Sequence, residues 1–244
     1  IRFQTDENAA GASNVAQRSA AGFAVSTGGF RLDVGHVSDV IDSGDVINYY
    51  GYGVGLTSFA EQSSGFGDSG TLAGIPASGF GVSGDDATID PTVKLRYTAG
   101  DFTVSASYTD SDNEEFQIGA GYNFGNYSAG IALGSEEAAT STGGDNDFVA
   151  ATFGGEIGAF AFSILVADVD EDNRDTMFGF SAKYDVGAAT EIRFAFADSG
   201  VDAEDETVAI GFRHGLGGGV SLQGGIGQNT SGNTVADLGV IFNF

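Results

Sequence analysis

Phe102-Thr-Val-Ser-Ala-Ser-Tyr-Thr109 alternates in character at every step. Phe102, Val104, Ala106 and Tyr108 fall on one side, and Thr103, Ser105, Ser107 and Thr109 on the other. Successive side chains of a β-strand point to opposite faces, so this stretch predicts a strand with one apolar and one hydroxyl-lined face. The period continues on both sides of it. Val93–Thr98 sets Val93, Leu95 and Tyr97 against Lys94, Arg96 and Thr98. Glu115–Phe124 sets Phe116, Ile118, Ala120, Tyr122 and Phe124 against Gln117, Gly119, Gly121 and Asn123. Further strands are expected at Tyr127–Gly134, Asp147–Gly154, Ala159–Val166, Thr176–Tyr184, Glu191–Ala197, Glu206–His214, Val220–Gln228 and Thr234–Phe244. Upstream come the stub Ile1–Thr5, Ser19–Ser26 and Phe30–Val37, which brings the expected strands to fourteen.

Composition agrees with many strands joined by tight turns. The chain holds 40 Gly, 20 Phe and 8 Tyr against 2 Pro, 1 Met, no Trp and no Cys. The apolar run Ala159–Ala167 is the longest, at nine residues with Ser163 inside it. A helix crossing a bilayer needs about 20 residues, whereas a barrel strand needs about 9–11. Only helices and closed barrels satisfy the backbone inside lipid, so the alternation predicts an antiparallel transmembrane β-barrel. The connectors alternate as well. Short Gly-rich turns (Thr27–Gly29, Ala99–Asp101, Phe124–Asn126, Leu216–Gly219) take turns with longer acidic loops (Asp110–Glu114, Ser135–Asn146, Ala167–Asp175, Asp198–Asp205). That asymmetry is the habit of outer-membrane barrels. The whole chain, 1–244, reads as one such domain.

Ser38–Pro91 breaks the rhythm: it offers no clean strand, only Gly, Asp, Ser and scattered apolar residues. A connector that long inside a compact domain has a function of its own. Folded inward it would narrow a pore, with Ile41, Tyr49, Tyr50, Leu56, Phe59, Leu72 and Ile75 anchoring it to the wall.

Acidic residues outnumber basic ones 34 to 9, for a net charge of −25, which argues against a nucleic-acid partner. By strand parity Arg2, Arg31, Lys94, Arg96, Lys183, Arg193 and Arg213 all fall on the polar, lumen face, while Arg18 and Arg174 lie at strand ends or in loops. A charge facing lipid at mid-membrane costs about 2–4 kcal/mol, so the lumen is where the bases belong. Candidate acids opposite this wall, on the long connector, are Asp39, Asp42, Asp45, Glu61, Asp68, Asp85, Asp86 and Asp90. Opposed charges across a constriction set up a transverse field that sorts solutes by charge.

Other motifs carry little. Gly65-Phe-Gly67-Asp-Ser-Gly70 has the letters of a dinucleotide fingerprint but neither the strand before nor the helix after. Its Gly67-Asp68-Ser69-Gly70 resembles a serine-protease nucleophile turn, yet Thr71 follows in place of Gly and His36 is close in sequence. His36 and His214 read as strand-end surface residues. Asp168, Asp170 and Asp172 open like an EF-hand loop, but Asn173 and Gly179 stand where Gly and Glu are required. These three are candidates for loose Ca2+ or Mg2+ binding that would bridge the outer loops to lipopolysaccharide and other anionic outer-membrane lipid. No cofactor is required, and no nucleophile–base pair stands out, so the chain does not read as an enzyme.

The C-terminal Asn233-Thr-Val-Ala-Asp-Leu-Gly-Val-Ile-Phe-Asn-Phe244 resembles the closing strand of the porins of photosynthetic α-proteobacteria such as Rhodobacter, with its alternating Leu238, Val240 and Phe242 and final Phe244. Gly-Gly-Gly219 before Val220 and the opening Ile1-Arg-Phe-Gln4, similar to the middle of that family's third strand, extend the likeness along the chain. The resemblance implies a 16-stranded homotrimeric barrel in the Gram-negative outer membrane, with a long third loop folded into the lumen. Ser38–Pro91 takes that place if Ile1–Thr5 is strand three, so two strands and part of a third are expected to precede Ile1 in the intact protein. It also implies acidic constriction residues opposite an arginine-rich wall, and divalent cations near loops. The function expected is a water-filled channel for passive diffusion of ions and small hydrophilic solutes, weakly cation-preferring. Alternatives are a substrate-specific outer-membrane channel, a barrel-anchored surface adhesin and a soluble Ca2+-binding β-solenoid. The last needs a nonapeptide repeat, of which only isolated lookalikes such as Gly143–Ala151 occur.

Overall fold

The computed structural model describes residues 22–35, 37–63, 91–110, 114–136, 146–170 and 175–243. Within them the alternating segments become β1 Gly22–Thr27, β2 Phe30–Gly35, β3 Thr92–Ala99, β4 Phe102–Thr109, β5 Glu115–Phe124, β6 Tyr127–Glu136, β7 Asn146–Ile157, β8 Phe160–Val169, β9 Met177–Asp185, β10 Thr190–Asp198, β11 Thr207–Gly217, β12 Val220–Gln228 and β13 Thr234–Phe242. Each pairs antiparallel with the next in one 13-stranded sheet, in strict sequence order. Thirteen of the expected strands are therefore present, and the stub Ile1–Thr5 lies outside the described residues. Several strands run past their expected ends, β7 most clearly, reaching Ile157 where Gly154 was expected. Gly154 and Gly155 look like breakers in sequence, but Ser163 and Phe162 of β8 pair with them across the ladder.

The connections follow the predicted asymmetry. One end of the sheet has tight turns, at Gly28–Gly29, Gly100–Asp101, Gly125–Asn126, Gly158–Ala159, Val186–Ala189 and Gly218–Gly219, and every longer connection lies at the other end. Gly28, Gly100, Gly125, Gly158 and Gly218 have positive φ, the backbone that two-residue hairpin turns demand.

Burial follows parity. Leu95, Phe102, Ile118, Leu133, Ile210, Leu238 and Phe242 are all exposed, at 38% or more of their surface, whereas Lys94, Ser105, Ser107, Gln117, Thr152 and Ser181 are buried on the other face. An isolated soluble sheet would do the reverse, so the apolar face is built for lipid. Near the tight turns that face carries a band of contacting rings. Phe124 stacks with Tyr122, Tyr127 and Phe153, and Phe162 contacts Phe153 and Phe160. Such aromatic girdles mark a membrane–water boundary.

The described part of the connection between β2 and β3, residues 37–63, lies on the polar face. It is more regular than the sequence suggested. Val40–Ser43 forms a one-turn helix, α1, and Val54 pairs with Ala60 in an isolated antiparallel bridge. The helix turn forms because Asp39 caps it, accepting from the Asp42 N–H at 2.7 Å, and Gly44 leaves it in the left-handed region.

Candidate functional site

The inserted segment crosses the polar face from β3 to β13, and its seat is built from small residues. The exposed first N–H groups of α1 go to the wall. Val40 donates to Ser107 Oγ of β4 at 3.2 Å, and Ile41 to Gln117 Oε1 of β5 at 2.9 Å. Val46 then lies against Gly119, Gly121 and Gly130, where added methyl groups would collide with it. Asn48 N–H reaches Thr152 of β7 at 3.2 Å and Tyr52 N–H reaches Ser181 of β9 at 2.9 Å. Gln62 runs over Gly179 and locks the segment's two legs together, donating to the carbonyl of Tyr49 at 3.0 Å and accepting from Ser181 at 3.0 Å.

Between these polar ties is a dry contact. Val40, Ile41, Val46, Ile47 and Tyr49 pack on Ala132, Phe148, Ala150, Leu165, Ala167 and Met177, all on the inner face of β6–β9. The simple alternation of greasy outside and wet inside thus fails locally, because part of the inner wall is covered by the segment and not by water. The signal was in the sequence. Ala159–Ala167 is apolar at both parities, as a strand covered on both faces should be.

Two charged groups face the lumen. In the first, Asp45 lies between two bases of β3, 2.9 Å from Lys94 Nζ and paired also with Arg96. Burial alone would push the Asp45 carboxyl up, but the hydrogen bonds and charges of Lys94 and Arg96 outweigh it and hold the acid below its ordinary value. Arg31 of β2 stands directly across from Arg96, and Asp33 directly across from Lys94. Arg31 and Asp33 pair at 2.7 Å, so three bases and two acids interlock. In the second group, Arg193 of β10 is directly opposite Lys183 of β9, and Glu191 is opposite Arg213 of β11. Arg193 pairs with Glu191 and donates to the carbonyl of Gly53 at 3.0 Å. Lys183 sits 5.7 Å from the Tyr52 ring centre, in cation–π range.

Beyond Gly53 the segment turns back on itself, and this tip is held by β11, β12 and β13. Val54 meets Gly211 and Gly225, Leu56 covers Gly239, and Asp237 accepts from Leu56 N, Thr57 N and Thr57 Oγ1 at 2.8, 2.9 and 2.9 Å. Burial pushes the carboxyl of Glu61, at the base of the tip, up to about 7, against a Ser58 hydrogen bond that favours the charged form.

Of the bases expected on the lumen face, Arg31, Lys94, Arg96, Lys183, Arg193 and Arg213 lie on the face that meets the inserted segment, and Arg2, like Arg18 and Arg174, is outside the described residues. Of the acids expected opposite them, Asp45 meets the wall. Asp39 is fully buried and caps the helix turn, and Asp42 accepts from the Tyr50 hydroxyl at 2.5 Å. Asp68, Asp85, Asp86 and Asp90 lie outside the described residues, as do His36, the Gly65–Gly70 motif and Asp172. Asp168 accepts from Thr176 Oγ1 at 3.0 Å, and Asp170 N–H bonds the carbonyl of Asp147. No group of three or more metal-ligating side chains converges among the described residues. Sequence reasoning passed over Asp33, Glu191 and Asp237, three acids at lumen parity. Attention to acids on the wall itself, and not only on the loop, would have found them.

A polar, charge-lined face that holds an inserted segment, with an aromatic-rimmed apolar face behind it, is the plan of a transmembrane β-barrel. The family model for Gram-negative porins matches residues 1–234. The chain belongs to that family. It is accordingly a protein of the bacterial outer membrane. The porin of Rhodobacter capsulatus is 28% identical over 197 residues, covering 67% of this chain, and the chain spans 65% of that relative's length. Among solved structures, a triple mutant of Rhodopseudomonas blastica porin superposes with a TM-score of 0.69 at 22% identity, over 99% of this chain and 82% of its own. Another, described under asymmetric conductivity of engineered proteins, gives a TM-score of 0.65 at 21% identity over 92% of this chain and 77% of its own. Likeness at such identities carries the fold: the antiparallel sheet of this porin-family chain is that of a transmembrane β-barrel.

Proposed function

We propose that the protein is a general diffusion porin, a water-filled channel through which ions and small hydrophilic solutes pass with no chemical step. The observation that carries this is the opposite polarity of the two sheet faces, with Lys94, Arg96, Lys183, Arg193 and Arg213 on the side that holds the inserted segment and Leu95, Phe102, Ile210 and Leu238 on the other. Related proteins bear the name porin, and one structural relative is described by its conductivity, which supports the same activity here. The segment 38–91 is its constriction loop, with Asp45 as the loop's acid against the basic wall of Arg31, Lys94 and Arg96.

With 34 acids to 9 bases in the chain, the mouth favours cations, and because bases stand beside acids along the described wall near the loop, the preference is weak. Homotrimers embedded in outer-membrane lipid and lipopolysaccharide, with Ca2+ or Mg2+ held loosely by acidic outer loops such as that of Asp168 and Asp170, complete the proposal. Planar-bilayer recording of the purified protein tests it. Stepwise conductance with a reversal potential slightly on the cation side is expected, and a protein that inserts without conducting would remove the channel.

A further inference from the structure

The loop tip is fastened to the opposite side of the wall by one carboxylate. Asp237 Oδ1 accepts from Leu56 N at 2.8 Å, while Oδ2 accepts from Thr57 N at 2.9 Å and from Thr57 Oγ1 at 2.9 Å. The two residues are 180 positions apart in sequence, so the bond set joins the free end of the loop to the closing region of the sheet. The site is shaped for it. Gly55 reaches positive φ beside Asp237, Leu56 rests on Gly239, and a methyl group at Gly239 would lie 2.5 Å from Leu56. Three of its donors are loop groups, the N–H of Leu56 and the N–H and hydroxyl of Thr57, and the Gly225 N–H of the wall helps to hold the carboxylate in place.

We propose that Asp237 is a positioning residue for conduction: it latches the tip around Leu56–Thr57 against β13 and so fixes the width of the open pore. The inference rests on the porin reading. A carboxylate accepting two backbone N–H groups and a hydroxyl makes charge-assisted bonds, stronger than neutral ones. The ties that remain without them, among the described residues, include the Arg193–Gly53 bond and the apolar contacts of Val54, Leu56 and Ala60. A loop held at one end samples several positions, and each gives a different current.

The test compares the full-length wild type with Asp237→Ala, Asp237→Asn and Thr57→Val in planar bilayers, with the cut-off for neutral polyethylene glycols measured on the same channels. Asp237→Ala should lose the single open level, giving fluctuating sublevels and admitting larger polymers. Asp237→Asn, which retains one oxygen acceptor, should lie between it and the wild type. Thr57→Val removes the hydroxyl bond alone, leaves the wall untouched and should show the smallest broadening, so a folding failure of Asp237→Ala does not end the test. A merely structural role would lower heat resistance with no such graded change in current. Wild-type levels and cut-off in both Asp237 variants would overturn the latch. If the wild type itself carries no current the porin reading fails, and protease cleavage within 53–61 then decides the latch: cleavage faster in Asp237→Ala upholds it, equal rates overturn it.

Discussion

Val46 lies directly over Gly130, so close that a methyl group replacing the glycine hydrogen would overlap the Val46 carbonyl. The overlap is with backbone, which has no side-chain rotamer to yield; from the neighbouring strand Gly121 meets the same Val46 backbone and Gly119 meets a Val46 methyl. A run of inward glycines is therefore the groove in which the inserted segment rests.

Gly130→Ala should lift the loop out of that groove. Overpacking a close contact costs about 1–3 kcal/mol, paid here by the loop–wall contact and not by the barrel ladder. Limited proteolysis within 40–52 should quicken while the β-sheet circular dichroism signal stays unchanged.

Removing the Asp45 charge leaves Lys94 and Arg96 without their shared acid. Lys94 is only 6% exposed, so Asp45→Asn should cost about 1.5–3 kcal/mol, the worth of hydrogen bonds to charged groups. The freed bases should also move the reversal potential toward anions, a shift readable in a salt gradient. An unchanged potential would mean that this group lies off the ion path.

The seating of the loop should depend on pH in two opposite senses. Asp45 is held below its ordinary 3.8, so it stabilises the seated loop above that value and loses this as pH falls. Glu61 is raised to about 7 from 4.5, so its contribution is complete below 4.5 and is lost as pH rises through about 7. Protease protection of 40–63 should accordingly peak at about pH 4–5. Glu61→Gln should flatten the decline toward neutral pH, and Asp45→Asn the decline in acid.

Neighbouring positions 94 and 95 should tolerate charge very differently. Lys94 already carries a charge toward the lumen, whereas Leu95, 49% exposed, points to lipid. Leu95→Arg should make folding into vesicles less favourable by about 2–4 kcal/mol. A cost near zero would place Leu95 away from the hydrocarbon.

How far the sequence could be read varied along the chain. Phe102–Thr109 and Glu115–Phe124 were legible to the residue, because parity in a strand is local and nothing distant can alter it. The loop was legible as an insertion but not as an object: α1 and the Val54–Ala60 bridge depend on one Asp cap, on Gly44 and on contacts with a wall built from distant strands. Eight acids stood as equal candidates for the constriction, and nothing in their spacing favours Asp45 over Asp39 or Asp42.

By itself, then, the order of residues determined which side of each strand meets oil and which meets water, since a charge in hydrocarbon is penalised wherever the strand sits. Only the folded chain decided that Asp45 would find Lys94 and Arg96, that Thr57 would meet Asp237, and that the inner face of β8 would stay dry beneath Ile41 and Ile47. Those pairings span up to 180 residues, and they follow from the curvature and register of the whole sheet, which no local pattern encodes.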